Sequence, residues 1–280
     1  MSTNLPFLKM HGLGNDFVVV DGRTADATLS EAQYRAVGDR RRGVGYDQFL
    51  TILPPKNGGL AYMAIHNPDG SQAQACGNGT RCVASLLMDE AGAEEIVLET
   101  VVGGLICKRS ADGRVTVDMG KANLAWTEIP IAVETDTREV TVPGAEAYGP
   151  ATMVNMGNPH AVFFVEDVEA LDLARIGPPI ETNPIFPERA NIEFVSVLAP
   201  DRLRMRVWER GAGITQACGS GACATVVAAA RRGMIPGRSA SVVLDGGVLD
   251  ITWRADGHVE MTGPVATSFS GTLDLSALGS

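Results

Sequence analysis

Short apolar runs of strand length recur along the chain, separated by turn residues, and only a few stretches carry helical spacing. Residues 7–10 and 17–21 read as strands joined by the glycine-rich link His11-Gly12-Leu13-Gly14-Asn15. Ser30 with Gln33 forms a capping box for a helix expected to end in Arg40-Arg41-Arg42, with Gly43 beyond. Basic residues in a last turn suit the helix dipole, so the arginine run reads as a solvated helix end. Residues 49–53, 61–66, 96–100, 105–108 and 115–119 continue the strand pattern, with Asn67-Pro68-Asp69-Gly70 and Asp112-Gly113 as turns. Between them Val83, Leu86 and Leu87 mark a helix that Gly92 would close. A less regular region follows from Gly120 to about Pro150.

The pattern then restarts. Gly157-Asn158-Pro159-His160 precedes an apolar run at 161–165, much as Gly14-Asn15-Asp16 precedes the run at 17–20. Strands are expected at 192–197, 203–208, 241–244, 248–253, 259–262 and 265–270, and a helix through Ala224, Val226, Val227 and Ala230 ends at Arg231-Arg232 and Gly233. That helix is apolar nearly all round, which implies burial by surrounding sheet. The sharpest repeat is Gln74-Ala75-Cys76-Gly77-Asn78-Gly79, which returns as Gln216-Ala217-Cys218-Gly219-Ser220-Gly221 after 142 residues (218 − 76). Asn67 and Glu209 each stand nine residues before their cysteine. These landmarks predict an α+β fold of two pseudo-symmetric halves, each a curved, barrel-like, mostly antiparallel sheet around a central helix. The irregular stretch that starts at Gly120 would divide the two halves, with the active site in the cleft between them.

Each repeat places a cysteine at the start of a helix. Unpaired backbone N–H groups and the positive end of the dipole favour thiolate there, and the glycines let the same turn hold a carboxylate. Two such turns suit stereoinversion, in which one group removes an α-proton and another returns one to the opposite face. At an ordinary thiol pKa near 8.5, only about 6% of molecules would hold one thiolate and one thiol at pH 7; lowering one pKa to about 7 makes roughly half competent. Cys82, Cys107 and Cys223 lack this context and read as core residues.

The 280 residues, 45% of them hydrophobic, are enough for a large packed core. A net charge of −10 argues against nucleic acid as a partner. No apolar run is long enough to span a membrane, and residues 1–6 lack a signal-peptide pattern, so the cytoplasm is the expected location. Five cysteines, spaced C-x5-C and C-x4-C around the two turns, suit neither a disulfide framework nor structural zinc.

At Lys9 to Phe17, Asp47-Gln48, Asn67-x-Asp69-Gly70-Ser71, Ala75 to Gly79, Gly157 to His160, Asn191-Ile192-Glu193-Phe194, Trp208 to Gly211 and Thr215-x-Ala217-Cys218-Gly219-Ser220-Gly221-Ala222, the chain resembles the diaminopimelate epimerases, pyridoxal-phosphate-independent enzymes of lysine synthesis. The resemblance implies interconversion of LL- and meso-diaminopimelate in a homodimer, with no metal and no organic cofactor, and returns the last strand to the first half, so that residues 1–120 with 265–280 would form one half and 121–264 the other. It implies Cys76 and Cys218 as the acid/base pair and the amides of Gly77, Asn78, Gly219 and Ser220 as the seat of the reacting carboxylate. Asn15, Gln48, Asn67, Asn158, Asn191, Glu209 and Arg210 would bind the rest of the substrate, with His160 and Glu209 supporting catalysis. Arg210 suits a carboxylate and Glu209 an ammonium. Three positions depart from the family pattern: Tyr46, where a small residue is common; Ser220, for threonine; and Phe269, for a tyrosine at a dimer contact. A related proline or hydroxyproline racemase would not need the distal-end residues, and a dithiol redox switch or metal-binding protein would use the cysteines differently.

Overall fold

A computed structural model describes residues 4–24, 26–73 and 76–278, so Gln74 and Ala75 of the first cysteine turn lie outside the described residues. The chain forms two compact units, one running to Val117 and resuming at Gly263, the other Asp118–Thr262.

In the first unit β1 (Asn4–Gly12) and β2 (Asn15–Asp21) make a hairpin. Helix α1 (Glu31–Gly38) crosses to β3 (Gln48–Leu53), which lies parallel to β2, and β4 (Ala61–His66) turns back along β3. Helix α2 (Gly77–Ala91) leads to β5 (Glu95–Thr100), parallel to β4, and β6 (Gly103–Arg109) and β7 (Val115–Lys121) follow antiparallel. The sheet is covered on both faces. Tyr34 and Val37 of α1, with Tyr46, pack on Leu5, Phe7, Val18, Val20 and Phe49, while α2 lies against β1, β2, β3, β5 and β6. Double coverage explains why β2 and β3 read as unbroken apolar runs rather than alternating ones. Tyr46 is a core residue here: its hydroxyl donates to the Tyr34 carbonyl (2.7 Å) and its ring meets Phe49 edge-on.

The second unit repeats the order. β8 (Ala151–Asn155) and β9 (Pro159–Phe164) form a hairpin, and α3 (Leu173–Glu181) crosses to β10 (Asn191–Ala199), parallel to β9. β11 (Arg202–Glu209) returns antiparallel and carries the two-residue β12 (Gly213–Ile214) at its end. Helix α4 (Gly219–Arg231) leads to β13 (Ser239–Leu244), parallel to β11, then β14 (Gly247–Trp253) and β15 (His258–Gly263). Sheet surrounds α4 as it surrounds α2: β8, β9, β10, β11, β13 and β14 all touch it. Register repeats too. Phe17 pairs with Gln48 and His160 with Asn191, both partners displaced by 143 residues (160 − 17 and 191 − 48). The last strand, β16 (Ala266–Asp274), pairs with β1 in the first unit. The α+β architecture of two like halves, each a sheet around a helix, is the one the repeat predicts.

Three expectations need correction. Helix α1 stops at Gly38, and Arg40–Arg42 lie beyond it, because Asp39 turns the chain and accepts from the Arg41 and Arg42 amides. Helix α3 and strand β8 carry no matching expectation: Gly177-Pro178-Pro179 masks the buried Leu173, Ile176 and Ile180 stripe of α3. The irregular stretch before β8 is also well packed, since Ile129, Ile131, Val140 and Val142 enter the second unit's core.

Candidate active site

Both repeated cysteines are helix N-caps. Cys76 caps α2 and its sulfur accepts from the Gly79 amide at 3.4 Å; Cys218 caps α4 and accepts from the Gly221 amide at the same distance. Gly77 and Gly219 are the first helical residues, so their amides belong to the unsatisfied N-terminal turn. The glycine at 79 fits closely and the one at 221 is a steric requirement. A Cβ at 79 would sit 3.0 Å from the Leu50 side chain, and one at 221 would sit 2.8 Å from Glu193 Oε1.

Side-chain amides surround Cys76, which is half-buried. Its thiol faces Gln48 Oε1 (3.6 Å) and Asn15 Oδ1 (3.7 Å), and Asn78 Nδ2 donates to Asn15 Oδ1 at 3.1 Å. Behind them stands an ionic layer. Asn15 Nδ2 donates to Asp47 Oδ2 (2.8 Å), Arg40 bridges Asp47 and Asp16 (2.7 Å to each), and Lys9 pairs with Asp16. Burial alone would raise the Asp16 carboxyl; hydrogen bonds from Arg40 and Lys9 outweigh it and hold it at about 2.

Cys218 is only 5% exposed and meets a different field. Burial pushes its thiol up, the Glu209 and Glu193 carboxylates push it further, and the Ser220 hydroxyl (3.6 Å) and Gly221 amide offset only part. Glu209 is itself pushed up by burial, although Thr215 and Cys218 hydrogen-bond to it. His160 and Glu193, both 0% exposed, pair at 2.7 Å through Nδ1 and Oε1, and His160 Nε2 meets Asn158 Oδ1 at 2.8 Å. Cys82 and Cys107, both fully buried, are pushed to about 12 by desolvation.

Of the residues singled out from sequence, Asn15, Gln48 and Asn78 gather at Cys76, and Ser220 and Glu209 gather at Cys218, with His160 joining Asn158 to Glu193. Asn67 holds the turn after β4 through Ser71 Oγ (3.0 Å). Asn191 spends both amide ends on backbone, donating to the Pro159 carbonyl and accepting from the Arg210 amide. Arg210 is exposed and donates to the Glu188 carbonyl. Sequence reasoning gave no role to Asp47, Arg40 or Glu193. The signal for Glu193 was a charge inside an apolar strand at the position where the first half has Leu50.

The family model for diaminopimelate epimerase matches residues 7–125 and 152–268. A diaminopimelate epimerase from Rhodospirillum centenum is 59% identical over 268 residues, covering 95% of this chain and 91% of that one. One from Phenylobacterium zucineum is 53% identical over 271 residues, covering 96% and 97%. Among solved structures, a phenazine biosynthesis protein of the PhzF family from Bacillus anthracis superposes with a TM-score of 0.69 at 13% identity, covering 98% of this chain and 99% of that one. A hydroxyproline epimerase from Agrobacterium vitis gives 0.66 at 18%, covering 97% and 93%. At those identities the structural likeness is one of fold. The family match takes in both cysteine turns and 47–59% identity extends over nearly the whole chain in relatives of that name, so the chain belongs to the diaminopimelate epimerase family.

Proposed function

We propose that the protein interconverts LL- and meso-2,6-diaminopimelate in lysine biosynthesis by two-thiol proton transfer. Cys76 and Cys218 act on opposite faces of the α-carbon, one as thiolate base and the other as thiol acid. The carrying observation is that two equivalent helix N-caps hold cysteines in unlike fields. Cys218 lies buried beside two carboxylates, which keep it a thiol and suit it to donate a proton. The opposite direction of reaction exchanges the roles. The amides of Gly77, Asn78, Gly219 and Ser220 hold the reacting carboxylate at the two helix ends. Asn15, Gln48, Asn67, Asn158, Asn191, Glu209 and Arg210 recognise the remaining groups. The two thiols supply acid and base, and His160 and Glu209 support them from beside Cys218.

Turnover of LL-diaminopimelate in D2O tests this: deuterium should enter the α-position as meso product forms. Cys76→Ala and Cys218→Ala should each abolish epimerisation. Retained turnover in either variant, or activity on proline with none on diaminopimelate, would replace this reading. A cytoplasmic homodimer belongs to the same proposal, supported by the family resemblance and by the 50% exposed Phe269 on β16. Sedimentation equilibrium giving a monomer at micromolar concentration would remove that part.

A further inference from the structure

Asn15 and Asn158 occupy equivalent places at the start of the second strand of each unit's hairpin, 143 residues apart (158 − 15). Their amides are gripped by opposite ends. Asn15 turns its nitrogen to Asp47 Oδ2 at 2.8 Å and to Gln48 Oε1 at 3.3 Å. A carboxylate only accepts, so it selects the NH2 end and leaves the Asn15 oxygen toward Cys76, where it accepts from Asn78 Nδ2 at 3.1 Å and keeps a second lone pair for a ligand. Asp47 cannot turn away, because its carboxylate also takes the Asp16 amide (3.1 Å) and the Arg40 guanidinium (2.7 Å).

Asn158 turns its oxygen inward, to His160 Nε2 at 2.8 Å. The other ring nitrogen faces Glu193 Oε1 at 2.7 Å. Each ring nitrogen thus faces an oxygen, an arrangement matched by an N–H at each. Glu193 is fully buried and its Oε2 has no hydrogen-bond partner among the described residues, so the ring is what holds its carboxyl in place. Glu209 and Cys218 are the other titratable groups beside this pair, and neither brings a positive charge. The first unit has none of this apparatus: Phe17 and Leu50, both fully buried, stand where the second has His160 and Glu193.

We propose that Asp47 and Glu193 are positioning residues that hold the equivalent asparagines in opposite senses, so that Asn15 offers the substrate an amide oxygen and Asn158 an amide NH2. Asn15 then suits an ammonium and Asn158 a carboxylate. This rests on the proposed reading of the site as one for an amino-acid substrate. A site built from two copies of one unit gains polarity without changing the asparagines themselves: the residues behind them differ.

The test compares full-length wild type with Asp47→Asn, Glu193→Gln and Glu193→Asp. In Glu193→Gln the ring no longer balances a carboxylate, its Nε2 loses the proton, and the Asn158 amide turns over to put oxygen outward. KM for diaminopimelate should rise about tenfold or more, the worth of one hydrogen bond to a charged group, beyond any change in kcat that follows from the loss of a charge beside Cys218. Asp47→Asn should shift KM in the same way, and Glu193→Asp should restore part of the loss. Nitrogen-15 NMR of the histidine rings supplies a readout independent of substrate. The chain has four histidines, so single substitution of the other three assigns His160. Its two nitrogens should both carry protons in wild type and in Glu193→Asp, and one should be bare in Glu193→Gln. A bare nitrogen on His160 in the wild type, or an unchanged KM in folded Glu193→Gln, overturns the inference. A wild type with no epimerase activity but a doubly protonated His160 would overturn the functional reading and leave the positioning role of Glu193 standing.

Discussion

Cys76 and Cys218 cap their helices alike, yet carboxylates surround only the second. An N-cap position favours thiolate, and at Cys218 burial with Glu209 and Glu193 overrides it. Exposure separates the pair further, since Cys76 is half-buried and Cys218 nearly closed off. Brief iodoacetamide treatment at pH 8, read by peptide mass spectrometry, should therefore label Cys76 well ahead of Cys218, with Cys82 and Cys107, both at about 12, unlabelled; Cys218 labelling first would contradict this account of its field. The cysteine pair is visible in sequence because its motif is spelled twice. Glu193 is not, because its meaning comes from the ring opposite, 33 residues away. Asp16, next to Asn15, shows the same limit: its partners Lys9 and Arg40 come from β1 and from the turn after α1. Held at about 2 against an ordinary 3.8, its carboxyl adds stability that is present above pH 3.8 and lost as pH falls toward 2. Asp16→Asn should cost roughly 1 kcal/mol at pH 7 after solvent screening and little near pH 2, measured by urea unfolding across that range.

The two cysteine-bearing helices begin with the same glycine pattern, but the third residue of each turn faces a different neighbour. A methyl at 79 meets the end of Leu50, a flexible apolar side chain that can give way, and reaches Cys76 Sγ only at an ordinary contact distance of 3.4 Å. At 221 it meets Glu193 Oε1 at 2.8 Å and Cys218 Sγ at 3.2 Å. Gly221→Ala should thus lower kcat/KM by about tenfold or more through displacement of a reacting thiol, whereas Gly79→Ala should lose about 1–3 kcal/mol of stability by overpacking with a smaller kinetic change. Equal kinetic losses would show that Glu193 is not the distinguishing contact. Most other elements announce themselves: a capping box, apolar runs and a left-handed Gly92 (φ 62°) mark their own ends. Helix α3 does not, because prolines at 178 and 179 contradict the helical pattern and tertiary packing prevails. Gly177 lies so close to Trp208 that a Cβ would fall 2.4 Å from the indole, whose Nε1–H donates to Glu181 at 2.7 Å. That contact joins residues distant in sequence and leaves no periodic trace.

At the scale of the molecule, the duplicated order of strands and helices follows from a repeat visible in two hexapeptides, but the chain's return to its first strand does not. Strand β16 pairs with β1 from Asn4↔Asp274 to His11↔Ala266, and Leu273 enters the core formed by Leu5, Phe7, Val18 and Phe49. The first unit therefore draws part of its core from the far end of the chain. Phe7 also packs edge-on against Phe269 at 6.0 Å, so removing β16 bares an apolar edge. Tryptophan makes the consequence measurable. Trp126, Trp208 and Trp253 all belong to the second unit, so indole fluorescence reports on that unit while far-UV circular dichroism reports on both. A chain truncated after Gly263 should lose the first unit's stability selectively. Its circular dichroism should show an early unfolding step in urea that fluorescence does not follow, and the later step should stay near its position in the full chain. If fluorescence and circular dichroism instead move together to lower urea, the second unit depends on the first for its own stability, and the picture of two separately supported cores fails.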